Sequence, residues 1–178
     1  MSNRSIARRG ICVALLACSA WITVPLGPVP FTMQTLVLAL LPQIMTTRDA
    51  FVTVALYLLL GAAGVPVFSG FQGGLGVLLG PTGGYLLGFA AGMPVAGAVM
   101  RASLLPRRAR GVAAGIALLA VSYVLGTLQL MNVYGIDAPA ALAVAVVPFV
   151  VPDVVKVAAS VGVAERINRA LGAVAEGR

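Results

Sequence analysis

The chain contains a single lysine, Lys156, and it stands three residues after Asp153 in an otherwise apolar tract. Its neighbours are Val154, Val155, Val157 and Ala158. Residues three apart share one face of a helix, so this carboxylate and this ammonium can meet, or bind one ligand together. A charge inside a membrane helix costs at least ~2.5–3.5 kcal/mol on insertion scales and usually marks a site or a pathway. Two readings follow: an ion pair that locks its own helix, or a polar anchor in a ligand pocket. No other lysine competes for the role, and the anchor is the reading preferred.

Other chemistries are excluded by composition. The chain has no histidine, which removes Ser–His and Cys–His catalysis, His-ligated metal and HExxH sites. Cys12 and Cys18 fall on one expected helix. Their Cα atoms would be about 9 Å apart, too far for a disulfide. They read as small buried apolar residues. The motif GxxxxGK[ST] is absent and cannot be built around Lys156. The chain therefore cannot hydrolyse ATP by a Walker mechanism. No enzyme, no metal and no resident cofactor are expected.

The elements that must position Asp153 and Lys156 follow from composition and charge. Of 178 residues, 60% are hydrophobic and 10% charged, and the mean hydropathy is +1.03. A soluble domain is about 25% charged. The 21 glycines and 11 prolines are tolerable in membrane helices. One all-α integral membrane domain over 1–178 is expected. No charge occurs between Arg9 and Arg48, nor between Asp49 and Arg101, and each tract exceeds one span. A span needs about 20 residues. Pro25, Pro28 and Pro30 divide the first tract, and the glycine-rich stretch from Gly61 to Gly84 divides the second. Six transmembrane helices result, near 6–24, 31–47, 49–64, 84–102, 110–133 and 153–171. Segment 138–152 is apolar but short and holds Pro139, Pro148 and Pro152, so it reads as an outer or re-entrant piece.

Six spans place all eleven arginines on one side, as the positive-inside rule requires, with N and C termini cytoplasmic. A seventh span would put Arg166, Arg169 and Arg178 outside. The net charge of +7 then reports this bias and attraction to anionic membrane lipid, and needs no nucleic acid. Arg8-Arg9 before an apolar run resembles a signal peptide, but more membrane helix follows it, so residues 1–24 read as a retained first span.

The outward connections carry no basic residue. The first reads PLGPVPFTMQ over 25–34, and the second, over 64–85, has eight glycines in 22 residues. Irregular backbone at membrane depth must be buried in protein or line a cavity. A glycine-rich apolar cap with few polar groups suits a small ligand. Candidate contacts beside Asp153 and Lys156 are Thr32 and Gln34 in the first connection. In the second they are Gln72, Tyr85 and the backbone of Gly73 and Gly74. Gly10, Ala14 and Cys18 form a small-residue stripe on the first helix, which serves either packing within the bundle or docking of a partner. Gly88 and Gly92 repeat the pattern, and there internal packing is expected.

The segments VPFTMQTL (29–36), YLLLGAAGVPVFSG (57–70), GGLGVLLGPTGGYLLGF (73–89) and PFVVPDVVK (148–156) strongly resemble the BioY family. That family comprises the biotin-binding S components of energy-coupling factor transporters. The resemblance spans nearly the whole chain. It implies a six-helix S-component fold in a bacterial inner membrane, with biotin bound near the outer face. It also implies docking of helix 1 onto a transmembrane coupling subunit that carries two ATPase subunits. The family's stripe is AxxxA, whereas here it reads Gly10, Ala14, Cys18. Family ligand contacts at the Asp and Lys of the last helix match Asp153 and Lys156. An S component for another small vitamin, or a solitary facilitator, is the alternative.

Overall fold

A computed structural model describes residues 3–102 and 104–176. Eight α-helices are present among them: α1 (Asn3–Trp21), α2 (Gln34–Ile44), α3 (Thr47–Ala62), α4 (Leu75–Leu79), α5 (Gly83–Arg101), α6 (Arg107–Tyr134), α7 (Ala138–Ala145) and α8 (Val147–Glu176). Two short strands, β1 (Thr23–Val24) and β2 (Phe31–Thr32), pair antiparallel with Thr23 opposite Thr32. Among the described residues, three helices are long and apolar enough to cross a membrane, over Gly83–Arg101, Arg107–Tyr134 and Val147–Gly172.

Helix α2 is the hub. Buried side chains occur at eight of its eleven positions, Gln34 and Thr35 included, and it packs against α1, α5, α6 and α8. A helix buried on nearly every side belongs at the centre of a bundle. Its length, about 16 Å by helical rise, is well short of a bilayer core. It starts later than the expected 31 because Phe31 and Thr32 are drawn into the hairpin with β1, and it stops at Ile44 before the Thr46 cap.

Thr46 starts α3. Its hydroxyl oxygen accepts from the Asp49 backbone N–H at 3.1 Å and its O–H donates to the Asp49 carboxylate at 3.0 Å. The first bond satisfies a backbone N–H that a helix start otherwise leaves unpaired, and the second holds the Asp49 carboxylate beside the cap. Asp49 also receives Arg9 from α1, in an ion pair, and Ser5 at 3.3 Å. Arg101 donates to the Thr47 hydroxyl at 2.7 Å, and Arg108 makes a two-pronged bond to Glu165. These bonds join the ends of α1 and α5 to α3, and α6 to α8, at one arginine-rich end of the bundle.

Helices α5 and α6 meet backbone to backbone. A methyl group at Gly88 would lie 2.5 Å from Ser122 Cα, and one at Gly92 3.1 Å from the Leu118 side chain. The repeat in α5 therefore packs internally, as expected. The stripe in α1 does the opposite. Gly10, Ala14 and Cys18 are exposed, while Cys12, Val13, Leu16, Ala17 and Ala20 form the buried face. Cys18 thus departs from the buried reading, because it falls on the outward side of a helix whose inward face is already full.

The segment 138–152 is not one unit. Asp137 caps α7 by accepting from the Ala140 N–H at 3.0 Å, and Pro139 sits in that helix's first turn. Val147 then opens α8, six residues before the expected 153, with Pro148 in its first turn and Pro152 inside it. A proline in the first turn forfeits no hydrogen bond, because that N–H has no intrahelical partner. The proline that suggested a break instead lies where a helix begins.

Candidate functional site

At the end of the bundle opposite the arginines, the glycine-rich connection folds over the helix ends. Its path depends on close approach. Phe68 lies on Gly61, where a Cβ would fall 2.0 Å from the ring, and the Gly74 N–H donates to the Gly61 carbonyl at 2.6 Å. Gly74 has φ +95°, a conformation costly for any residue with a side chain, and this lets α4 start immediately after a sharp turn. Phe71 takes φ +58° and stacks on Trp21 with ring centroids 5.0 Å apart.

Under this cover lies a cavity of about 750 Å³. Small-molecule pockets usually measure ~300–1,000 Å³. Thr32 and Gln34 line it from the first connection, Gln72, Gly73 and Tyr85 from the second, and Asp153 and Lys156 from α8. Gly74 does not line it. Its backbone is used in the turn, with the N–H committed to Gly61.

Asp153 and Lys156 are 5% and 6% exposed, so nearly all their charge must be met by protein. Lys156 Nζ donates to Asp153 Oδ1 at 2.7 Å and to the Thr32 carbonyl at 2.6 Å, and lies 3.7 Å from the centre of the Phe31 ring. An ammonium has three donors, and here a carboxylate, a carbonyl and an aromatic face occupy its surroundings. Asp153 Oδ2 accepts from the Tyr123 hydroxyl at 2.6 Å. Each carboxylate oxygen thus takes one protein donor and keeps acceptor capacity for another. With Lys156 committed and Asp153 open, the site as it stands accepts N–H groups more readily than it donates.

A second network fixes the cover. Thr32 Oγ1 donates to Gln34 Oε1 at 3.3 Å, Gln34 Nε2 donates to the Tyr57 hydroxyl at 2.8 Å, and that hydroxyl donates to the Val67 carbonyl at 3.0 Å. One fully buried phenol therefore joins the two connections. Gln129 holds the far end of the second, donating to the carbonyls of Leu78 at 2.9 Å and Gly80 at 2.6 Å. Tyr85 donates to the Ala145 carbonyl at 3.3 Å, tying α5 to α7.

Tyr57, Tyr123 and Gln129 escape a reading by local spacing, since their partners lie ten to fifty-one positions away in sequence. Their one signal is a polar tip inside an apolar helix, which in a buried setting must find a partner.

This arrangement is that of a membrane-embedded small-molecule-binding bundle, and a solved structure shares its fold. The S-component for biotin from an ECF-type ABC transporter matches with a TM-score of 0.86 over 95% of each chain, at 19% identity. Residues 1–173 match the BioY family, and the chain belongs to that family. A relative from Thermotoga maritima, named biotin transporter BioY, is 42% identical over 93% of this chain and 96% of its own. A probable biotin transporter BioY from Pyrococcus horikoshii is 35% identical over 94% and 98%. The chain is a multi-pass membrane protein.

Proposed function

We propose that this chain is the biotin-binding subunit of a vitamin importer in a bacterial inner membrane, capturing biotin in the cavity beneath the two connections. The observation that carries the reading is the buried Asp153–Lys156 pair opening onto a cavity of about 750 Å³ in a member of the BioY family. Biotin presents ureido N–H donors, a carbonyl acceptor, an apolar thioether ring and a carboxylate tail. An open acceptor position of Asp153 suits one ureido N–H group. Lys156 serves the ureido carbonyl by releasing the Thr32 carbonyl, which couples binding to a shift of the first connection. The carboxylate tail then points toward Gln72 and the backbone of Gly73.

Uptake is driven by a separate transmembrane coupling subunit that carries two ATPases and docks on the exposed face of Gly10, Ala14 and Cys18. Small residues permit a close helix approach there.

Equilibrium binding of radiolabelled biotin to the purified protein, without ATP or partners, tests the reading. Saturable nanomolar binding is expected, about −12 kcal/mol. A well-folded sample that binds no biotin overturns it. Ala14→Trp should abolish ATP-dependent uptake and leave biotin binding intact. Lost binding would assign the stripe to the bundle's own integrity.

A further inference from the structure

Asp153 can present its open acceptor positions to a ligand only if its carboxylate plane is fixed, and Lys156 alone does not fix it. The lysine reaches one oxygen, Oδ1, from the same helix, on a long stem. A carboxylate held at one oxygen still turns about the bond to its Cβ, since that torsion is broad. A second fixed point is required, and it comes from another helix.

Tyr123 on α6 supplies it. Its hydroxyl is the donor to Oδ2 at 2.6 Å, because a carboxylate only accepts. The phenol is itself held by packing. Its ring lies against two buried clusters, one containing Ala39, Leu119 and Val157, the other Tyr85, Leu130 and Phe149. A tyrosine with two side-chain torsions, wedged between two packed groups, places its oxygen with little freedom. Tyr123 also lines the cavity, so the bond lies at the ligand's own boundary.

We infer that Tyr123 is a positioning residue for ligand recognition, acting through Asp153. With Lys156 on Oδ1 and Tyr123 on Oδ2, both oxygens are pinned, and a remaining lone pair is held in place for one N–H donor of the ligand. The inference rests on the reading of Asp153 as a ligand contact.

The test is a double-variant cycle on the full chain, read as biotin affinity beside thermal stability in detergent. Tyr123→Phe removes only the hydroxyl and should weaken biotin about tenfold, the size of one lost hydrogen bond. Asp153→Leu with Lys156→Leu removes the carboxylate without stranding the lysine, leaving Tyr123 no side-chain partner there. In that background Tyr123→Phe should change affinity by less than about twofold. The same tenfold loss in both backgrounds would mean that Tyr123 acts through packing, and the inference fails. If the double variant does not fold, biotin methylated on both ureido nitrogens makes the same comparison: it should bind wild type and Tyr123→Phe equally, and a tenfold difference overturns the proposal. Wild-type protein that binds no biotin removes the underlying reading. Wild type that binds, with Tyr123→Phe binding equally well, removes this inference alone.

Discussion

Two ion pairs mark the two ends of this bundle, and they are built in opposite ways. Arg9 and Asp49 come from different helices, 40 positions apart, and their bond draws α1 onto α3. Ser5 and Thr46 complete the set around Asp49, and neither member of the pair lines the cavity. Asp153 and Lys156 share one helix, so their mutual bond joins nothing. Their other bonds do the joining, to Tyr123 on α6 and to the Thr32 carbonyl beside α2, and all four residues line the cavity. A pair that spans helices at a crowded end accounts for itself as a fastener. One that lies within a helix, costs desolvation and faces open volume needs another reason to be there, and on the proposed reading a ligand supplies it.

The comparison predicts different consequences when each end is disturbed. The largest effect belongs to Asp153→Leu with Lys156→Leu. Removing both partners avoids a stranded buried charge, and the Tyr123 hydroxyl and Thr32 carbonyl still face the cavity, where water can serve them. The double variant should fold, and biotin affinity should fall on the order of 100-fold or more, from two charge-assisted bonds of roughly 1.5–3 kcal/mol each. Near-wild-type affinity in a stable double variant would make this pair a fastener like the other.

Tyr57→Phe sharpens the contrast within the cavity end. It deletes the hydroxyl that links Gln34 to Val67, without touching the pair on α8. Biotin affinity should fall about five- to tenfold, roughly one hydrogen bond, chiefly through faster release from a looser cover. Stopped-flow or washout measurement of the dissociation rate checks it. An unchanged rate would mean that the cover keeps its position without the phenol.

Asp49→Asn should do the reverse. Loss of the charge weakens the bonds to Arg9 and lowers the melting temperature by a few degrees, while biotin affinity stays within about twofold, since additivity holds for distant sites. A large loss of affinity would show that the two ends are coupled. The smallest effect is expected from Thr46→Ala, which removes the cap of α3 and one exposed donor to Asp49, about 1 kcal/mol of stability, with binding unchanged. Thermal melts of the purified variants suffice for both.

Much of this was legible in the amino-acid order because it is local or compositional. The spacing of Asp153 and Lys156 places them on one helix face before any fold is known, and the charge-free tracts announce apolar helices. The inward glycines of α5 follow the same four-residue logic. Legibility fails where the cause lies elsewhere in the chain. Nothing near Tyr123 says that a carboxylate 30 positions later will meet it, and nothing near Tyr57 names Gln34. Gly10, Ala14 and Cys18 follow a spacing like that of Gly88 and Gly92, yet one set faces out and the other in, because the neighbouring helix decides. Proline misled for a related reason: Pro148 breaks a helix from inside but begins one from its first turn, and only the neighbouring residues' conformation tells which. The short helix α4 is hidden in a glycine-rich stretch because two closely approaching backbones, not side-chain periodicity, hold it in place.

The bond from Lys156 to the Thr32 carbonyl spans 124 positions and ties α8 to the first connection. Without α8 in place, the cavity lacks Asp153 and Lys156, and the Thr32 carbonyl lacks its donor. Closing so long a loop adds little entropy over a shorter one, about 0.6 kcal/mol for each doubling of length. Docking α8 is therefore governed by the contacts waiting for it rather than by the length of the search. Cargo that occupies the finished cavity holds that docking in place, and at a hundredfold excess over its dissociation constant it adds about 2.7 kcal/mol. On the proposed reading, the vitamin is thus both what the protein captures and a brace that keeps α8 docked against the first connection.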